Sequence, residues 1–206
     1  MVLITGFEPF GGGERNPSAE IALALNGRQL HGQEVIGVSL PCVFGEDLKV
    51  LRCYLRRYHP NVVVCLGLAG GRSALSVERV AINVADARIP DNAGAAPVDE
   101  PVAAGGPVGY WSSLPIKAIC AAWREAGLPG EVSQSAGTFV CNHLFYGLMR
   151  SLRRSSARGG FIHVPYAEGQ GEPCLKLEDM VRGIELAASV ALTTTKDLRL
   201  SAGAVS

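Results

Sequence analysis

Among the side chains that could do chemistry, Cys141 holds the most reactive position. It stands where the loop Gly137-Thr138-Phe139-Val140 enters a helix. A helix N-terminus favours thiolate over thiol, and such sites can lower a thiol pKa to roughly 3.5–7.5. The other cysteines read differently: Cys42, Cys53, Cys65 and Cys120 fall in apolar strands or helices and read as inert core thiols. Cys174, beside Pro173, has no charged activator. A cysteine nucleophile needs an imidazole, and His163 ends an apolar strand, where working side chains collect in open sheets. His31 lies in a turn, His59 closes a helix before Pro60, and His143 sits about 200° around the helix from Cys141. Glu78 is the acid that would orient the imidazole, completing a nucleophile–base–acid set. Each also has an ordinary reading, as buried thiol, structural histidine and surface glutamate paired with Arg79.

A second candidate is the loop Gly6-Phe7-Glu8-Pro9-Phe10-Gly11-Gly12-Gly13. It lacks the Lys and Ser/Thr of a phosphate loop and the GxGxxG pattern, and no basic residue follows until Arg15. Two phenylalanines on a strand-end loop suit a flat, neutral ligand, unless both pack beneath the loop.

These residues must be positioned by alternating strands and helices. Strands are expected at Val2–Thr5, Glu34–Leu40, Val62–Leu66, Arg79–Val84, Val132–Gln134 and Gly160–Val164. Helices are expected from Pro17 to the stop at Asn26-Gly27, from Phe44 to His59, and over Pro115–Ala126, Cys141–Arg153 and Leu177–Leu192. The Pro/Gly/Asp-rich stretch from Ala87 to Gly109 is too long for a plain connection and reads as functional or as a lid. The alternation predicts an α/β fold: a twisted, mostly parallel sheet with helices on both faces. One domain over 1–206 is expected, with a tail after about 197 outside the ordered body.

The 206 residues carry 19 Lys+Arg and 19 Asp+Glu, a balance that argues against a nucleic-acid partner. The longest apolar run, Val62 to Ala69, is far short of the ~18–20 residues that span a bilayer, and the N-terminus has no basic leader. No CxxC pair suggests zinc, and free thiols point to a cytoplasmic chain.

Taken in order, several segments resemble the pyroglutamyl-peptidase I (pyrrolidone-carboxylate peptidase) family. Gly67-Leu-Ala-Gly-Gly-Arg-Ser-Ala-Leu-Ser-Val-Glu78-Arg-Val-Ala-Ile-Asn83 is similar to its glutamate-site signature, and Ser135-Ala-Gly-Thr-Phe-Val-Cys141-Asn-His-Leu-Phe-Tyr146 to its cysteine-site signature. Thr5–Gly12, Asn16-Pro-Ser, Ala87–Asn92 and Phe161-Ile-His163-Val-Pro-Tyr166 match further landmarks. Leu68 stands where many members carry Gln, which removes a side-chain contact there and leaves a backbone one. The resemblance implies a cytoplasmic, homotetrameric cysteine peptidase that removes N-terminal pyroglutamate from peptides without metal or cofactor. It implies Cys141 as nucleophile, His163 as base and acid, and Glu78 as the orienting residue. Phe7, Phe10, Asn16, Arg88, Phe139 and Val140 would surround the substrate. The rivals are a phosphorylase-like α/β enzyme and a non-catalytic binding module on the same scaffold.

Overall fold

The structure is a computed structural model that describes residues 1–202. Its first half runs β1 (Val2–Phe7), α1 (Pro17–Leu25), β2 (Gln29–Leu30), β3 (Gln33–Leu40), α2 (Glu46–Tyr58), β4 (Val62–Leu68), β5 (Leu75–Glu78) and β6 (Val80–Ile82). The second continues with β7 (Gly109–Trp111), α3 (Ile116–Glu125), β8 (Gly130–Ser133), α4 (Val140–Leu152), β9 (Arg158–Val164), β10 (Tyr166–Ala167), β11 (Cys174–Leu175) and α5 (Leu177–Thr193). Seven strands form one sheet in the order β2-β3-β1-β4-β9-β5-β8. β3, β1, β4 and β9 run parallel; β5 is antiparallel to β9 and parallel to β8, and β2 is antiparallel to β3. The expected α/β architecture is therefore present, with the direction of the sheet reversing at the β9–β5 boundary.

Strand alternation sorts the core into two layers, because successive side chains point to opposite faces. Val2, Ile4, Val62, Val64, Ile162 and Val164 pack against α1, α3 and α5. Leu3, Phe7, Val63, Cys65 and Phe161 face α2 and α4. β4 and β9 are buried on both faces, which is why they read as continuous apolar runs.

One expectation needs correction. Of the strand expected over Arg79–Val84 only β6 forms, and it pairs with β7; the strand that enters the central sheet is β5, which precedes that range and ends on Glu78. β5 was hidden because Ser76 and Glu78, on its α4 side, are polar yet fully buried. The tail beyond α5 is described as far as residue 202. Asp197 accepts the amides of Lys117 and Ala118, capping the otherwise uncapped start of α3, and the Ala202 carbonyl accepts from Arg79. The rest of that tail lies outside the described residues.

Among the described residues, no helix is long and apolar enough to cross a membrane, and no group of three His, Cys, Asp or Glu side chains could hold a metal ion.

Candidate active site

Gly67, near the end of β4, sets the geometry. It pairs in register with His163 on β9, so both residues present the same face of the sheet. A Cβ built on Gly67 would lie 2.7 Å from Cys141 Sγ and 2.8 Å from the Phe161 ring. Glycine is therefore what lets the start of α4 settle onto the strand end with its thiol beside the His163 strand.

Cys141 is the second residue of α4. The N-cap, Phe139, makes no side-chain cap, and the first helical amide to find a carbonyl is that of His143, bonded to Phe139 O. Forgoing a Ser, Asp or Asn cap costs about 1 kcal/mol and leaves the first-turn amides, that of Cys141 among them, open to an incoming oxygen. The helix is fixed within its first turn. Asn142 is fully buried; it accepts from Ile82 N and donates to the carbonyls of Ile82 and Val84, tying α4 to β6.

Behind the imidazole, His163 Nδ1 lies 2.7 Å from Glu78 Oε1. The antiparallel register places Ser76 opposite His163, so Glu78 is its diagonal neighbour on the same face, within reach of a long side chain. Arg72 donates to the same Oε1 at 2.9 Å and to the Ser135 carbonyl at 3.1 Å. Glu78 Oε2 is buried without a partner among the described residues. Burial pushes the Glu78 carboxyl up, but the hydrogen bond and charge of His163, the Ser133 hydroxyl and the charge of Arg72 outweigh it and hold the group below its ordinary value. Glu78 is thus fully buried rather than at the mouth of a half-exposed strand, and its cation is Arg72, not Arg79.

The thiol corrects a second expectation. Burial pushes Cys141 above its ordinary pKa, with Cys42, Glu78 and Asp47 acting in the same direction and Arg72 against. A helix terminus offers a fraction of a charge, and removal from water outweighs it. Burial likewise draws His163 below its ordinary value despite the pull of Glu78. Both shifts favour the neutral forms, thiol and imidazole. The other thiols divide as well: burial pushes Cys42, Cys65 and Cys120 to about 12, whereas Cys53 is exposed, not in the core.

Beside the site lies a cavity of about 400 Å³, lined by Phe10, Asp86, Arg88, Ile89, Gly137, Thr138 and Phe139. The rings of Phe10 and Phe139 stand 6.0 Å apart at 41°. Three of the six expected substrate contacts, Phe10, Arg88 and Phe139, therefore share one wall. The other three are placed differently. Phe7 is 2% exposed and packs in the α2–α4 core, beneath the loop. Asn16 spends its carbonyl on the amide and hydroxyl of Ser18 and its Nδ2 on Glu8 O, so it caps α1 and holds the loop. Val140 is fully buried at the start of α4. The long stretch from Ala87 to Gly109 is tied down rather than hanging as a lid. Asp91 accepts from Phe44 N, and Asn92 donates to Glu8 Oε1 and Pro9 O. The sequence reading missed Arg72, Asn142 and Asp91; only Arg72 had a signal, as a lone cation in a glycine-rich turn six residues before Glu78.

The chain resembles known proteins along nearly its whole length. The sequence model of the pyroglutamyl peptidase family matches residues 1–194. A pyrrolidone-carboxylate peptidase of Erwinia tasmaniensis is 52% identical, covering 98% of this chain and 98% of its own. That of Bacillus cytotoxicus is 49% identical over 96% and 95%. Among solved structures, the pyroglutamyl peptidase I of Bacillus amyloliquefaciens matches with a TM-score of 0.94 and 44% identity, covering 97% of this chain and 98% of that one. The pyrrolidone carboxyl peptidase of Thermococcus litoralis gives 0.93 at 37% identity, over 97% and 98%. Likeness of this extent, in sequence and in structure alike, leads to one conclusion: the chain belongs to the pyroglutamyl peptidase family, the cysteine peptidases that remove N-terminal pyroglutamate.

Proposed function

We propose that Cys141 is the nucleophile, His163 the general base and then acid, and Glu78 the residue that orients the imidazole. The observation that carries this is the seating of Cys141 Sγ over Gly67, the register partner of His163. Glu78 holds Nδ1, so Nε2 is the ring nitrogen left to face the thiol. His163 takes the thiol proton as sulfur attacks the carbonyl beyond the pyroglutamyl ring. The amide of Cys141 receives the oxyanion, and the imidazolium gives its proton to the leaving amine. Water then releases the thioester with His163 again as base.

Phe10, Phe139 and Arg88 are the proposed substrate contacts, with Phe7, Asn16 and Val140 supporting that wall from behind. A lactam is flat and uncharged, so aromatic faces and backbone hydrogen bonds suffice. Six unpaired cysteines support a reducing, cytoplasmic setting. A homotetramer is also proposed; the exposed Trp111 and Val108 beside β7 are apolar surface that such assembly would cover. The phosphorylase-like and non-catalytic alternatives are not favoured, since the loop from Gly6 to Gly13 carries no cation.

The test is release of a fluorogenic amine from a pyroglutamyl amide, with a prolyl amide as control. Proline brings a charged secondary amine whose desolvation against aromatic rings is costly, so at least about a hundredfold preference for pyroglutamyl is expected. Equal turnover of the two amides would remove the proposed pocket.

A further inference from the structure

We infer that Arg72 is a positioning residue of the reaction: it clamps the glutamate strand to the cysteine loop and shares Glu78 Oε1 with His163, so that the imidazole stays a free base. The inference rests on the thiol-peptidase reading of Cys141 and His163.

The geometry is particular to this residue. Arg72 follows a turn in which Gly71 has φ +90, and a Cβ on Gly70 would fall 2.3 Å from the Tyr166 ring. Both glycines are required for the turn to lie under Tyr166 and deliver the guanidinium inward. One nitrogen then reaches Glu78 on β5 and another the Ser135 carbonyl, at the head of the loop leading into Cys141. Arg72 thus joins the two segments that carry the acid and the nucleophile. A planar fork can do this and a lysine cannot, because its single ammonium is a point charge.

The electrostatic consequence follows from the unpaired Oε2. Glu78 is fully buried, and among the described residues its charged donors are His163 and Arg72, both on Oε1, with the Ser133 hydroxyl adding to its stabilisation. With Arg72 in place, the carboxylate is compensated without a second proton on the imidazole. Without it, His163 is the one charged partner left among them to balance a buried charge, and the ring keeps its proton to higher pH. A protonated imidazole cannot accept the thiol proton. The charged groups that bear on His163 are Glu78 from β5 and Arg72 from the turn; Glu78 favours the imidazolium, and burial and Arg72 oppose it.

The experiment compares kcat/KM against pH for the full chain, R72Q and R72K on a pyroglutamyl amide. R72Q should move the acid limb to higher pH, by on the order of half a unit, and lower kcat about tenfold with little change in KM. R72K keeps the charge and should keep the acid limb while still losing kcat, because the bridge to Ser135 O is gone. An acid limb in R72Q that is unmoved or shifted to lower pH overturns the inference. So does an R72K enzyme with wild-type kcat, which remains decisive if R72Q does not fold. Absence of pyroglutamyl hydrolysis by the unmodified chain would instead strike at the thiol-peptidase reading.

Discussion

Glu78 meets His163 Nδ1 at 2.7 Å, and Asp47 meets His143 Nδ1 at 2.9 Å. Both carboxylates are fully buried, both imidazoles nearly so, and His143 is only two residues from Cys141. Two things separate the pairs. The first is direction: His163 shares a sheet face with Gly67 under the thiol, whereas His143 leaves α4 toward α2. There its ring meets Phe44 edge-on at 5.3 Å, and Phe44 meets Phe139 edge-on at 5.4 Å. The Asp47 pair braces the aromatic wall; the Glu78 pair lies on the sheet face over which the thiol is seated. The second is compensation. Glu78 has Arg72 and sits below its ordinary pKa, whereas among the described residues no Lys or Arg pairs with Asp47, and burial pushes it above. A carboxylate–imidazole pair is thus no signature of catalysis; the nitrogen it leaves open and the countercharge behind it decide.

Deleting the reactive groups gives the largest separation. Cys141→Ala should abolish measurable turnover of a pyroglutamyl amide, and His163→Ala should cost at least about a thousandfold in kcat/KM, since base and acid are lost together. His143→Gln should stay within about tenfold, with the change falling in KM through the Phe44–Phe139 wall. Comparable inactivation of the two histidine variants would erase the distinction between the pairs.

The next separation lies in the carboxylates and their effect on kinetics. Glu78→Gln should lose kcat on the order of a thousandfold with a trace remaining, because the imidazole loses its orientation and the partner of its imidazolium. Glu78 raises the His163 pKa against burial, so without it the ring protonates only at lower pH. The acid limb of kcat/KM should move to lower pH, opposite to the shift expected for R72Q. Asp47→Asn should leave that limb in place. A pH profile of the three variants against the parent decides it.

The proposed nucleophile and base were legible as candidates because each stands at an element boundary that the sequence marks plainly: a Gly-rich loop into a helix for Cys141, the end of an apolar strand for His163. The fold was legible for the same reason, since double-faced burial of β4 and β9 writes continuous apolar runs. What escaped reading was polar and buried. β5 was invisible because Ser76 and Glu78 face inward, and an alternation of that kind reads as a strand with a wet side. Asp47 looks like an ordinary first-turn acid of α2, and Asn142 like a helix surface amide, until tertiary contacts bury them. The thiol pKa failed for a related reason: helix position is local and readable, whereas desolvation depends on segments far apart in the chain.

The smallest effect is also the sharpest test of compensation, because its sign differs between the pairs. Glu78 has a folded pKa below its ordinary 4.5, so it contributes stability that is present above that value and is lost as pH falls through the folded value. Asp47 has a folded pKa above its ordinary 3.8; the folded chain binds that proton more tightly than the unfolded one. Its contribution therefore declines as pH rises from 3.8 through the higher folded value. Urea midpoints measured from acid to neutral pH should show Glu78→Gln falling further behind the parent as pH rises. Asp47→Asn should gain on the parent over the same range, because the parent must ionise a buried carboxyl and the amide need not. Slopes of the same sign for the two variants would mean that Arg72 does not distinguish the pairs, and that burial alone sets both carboxylates.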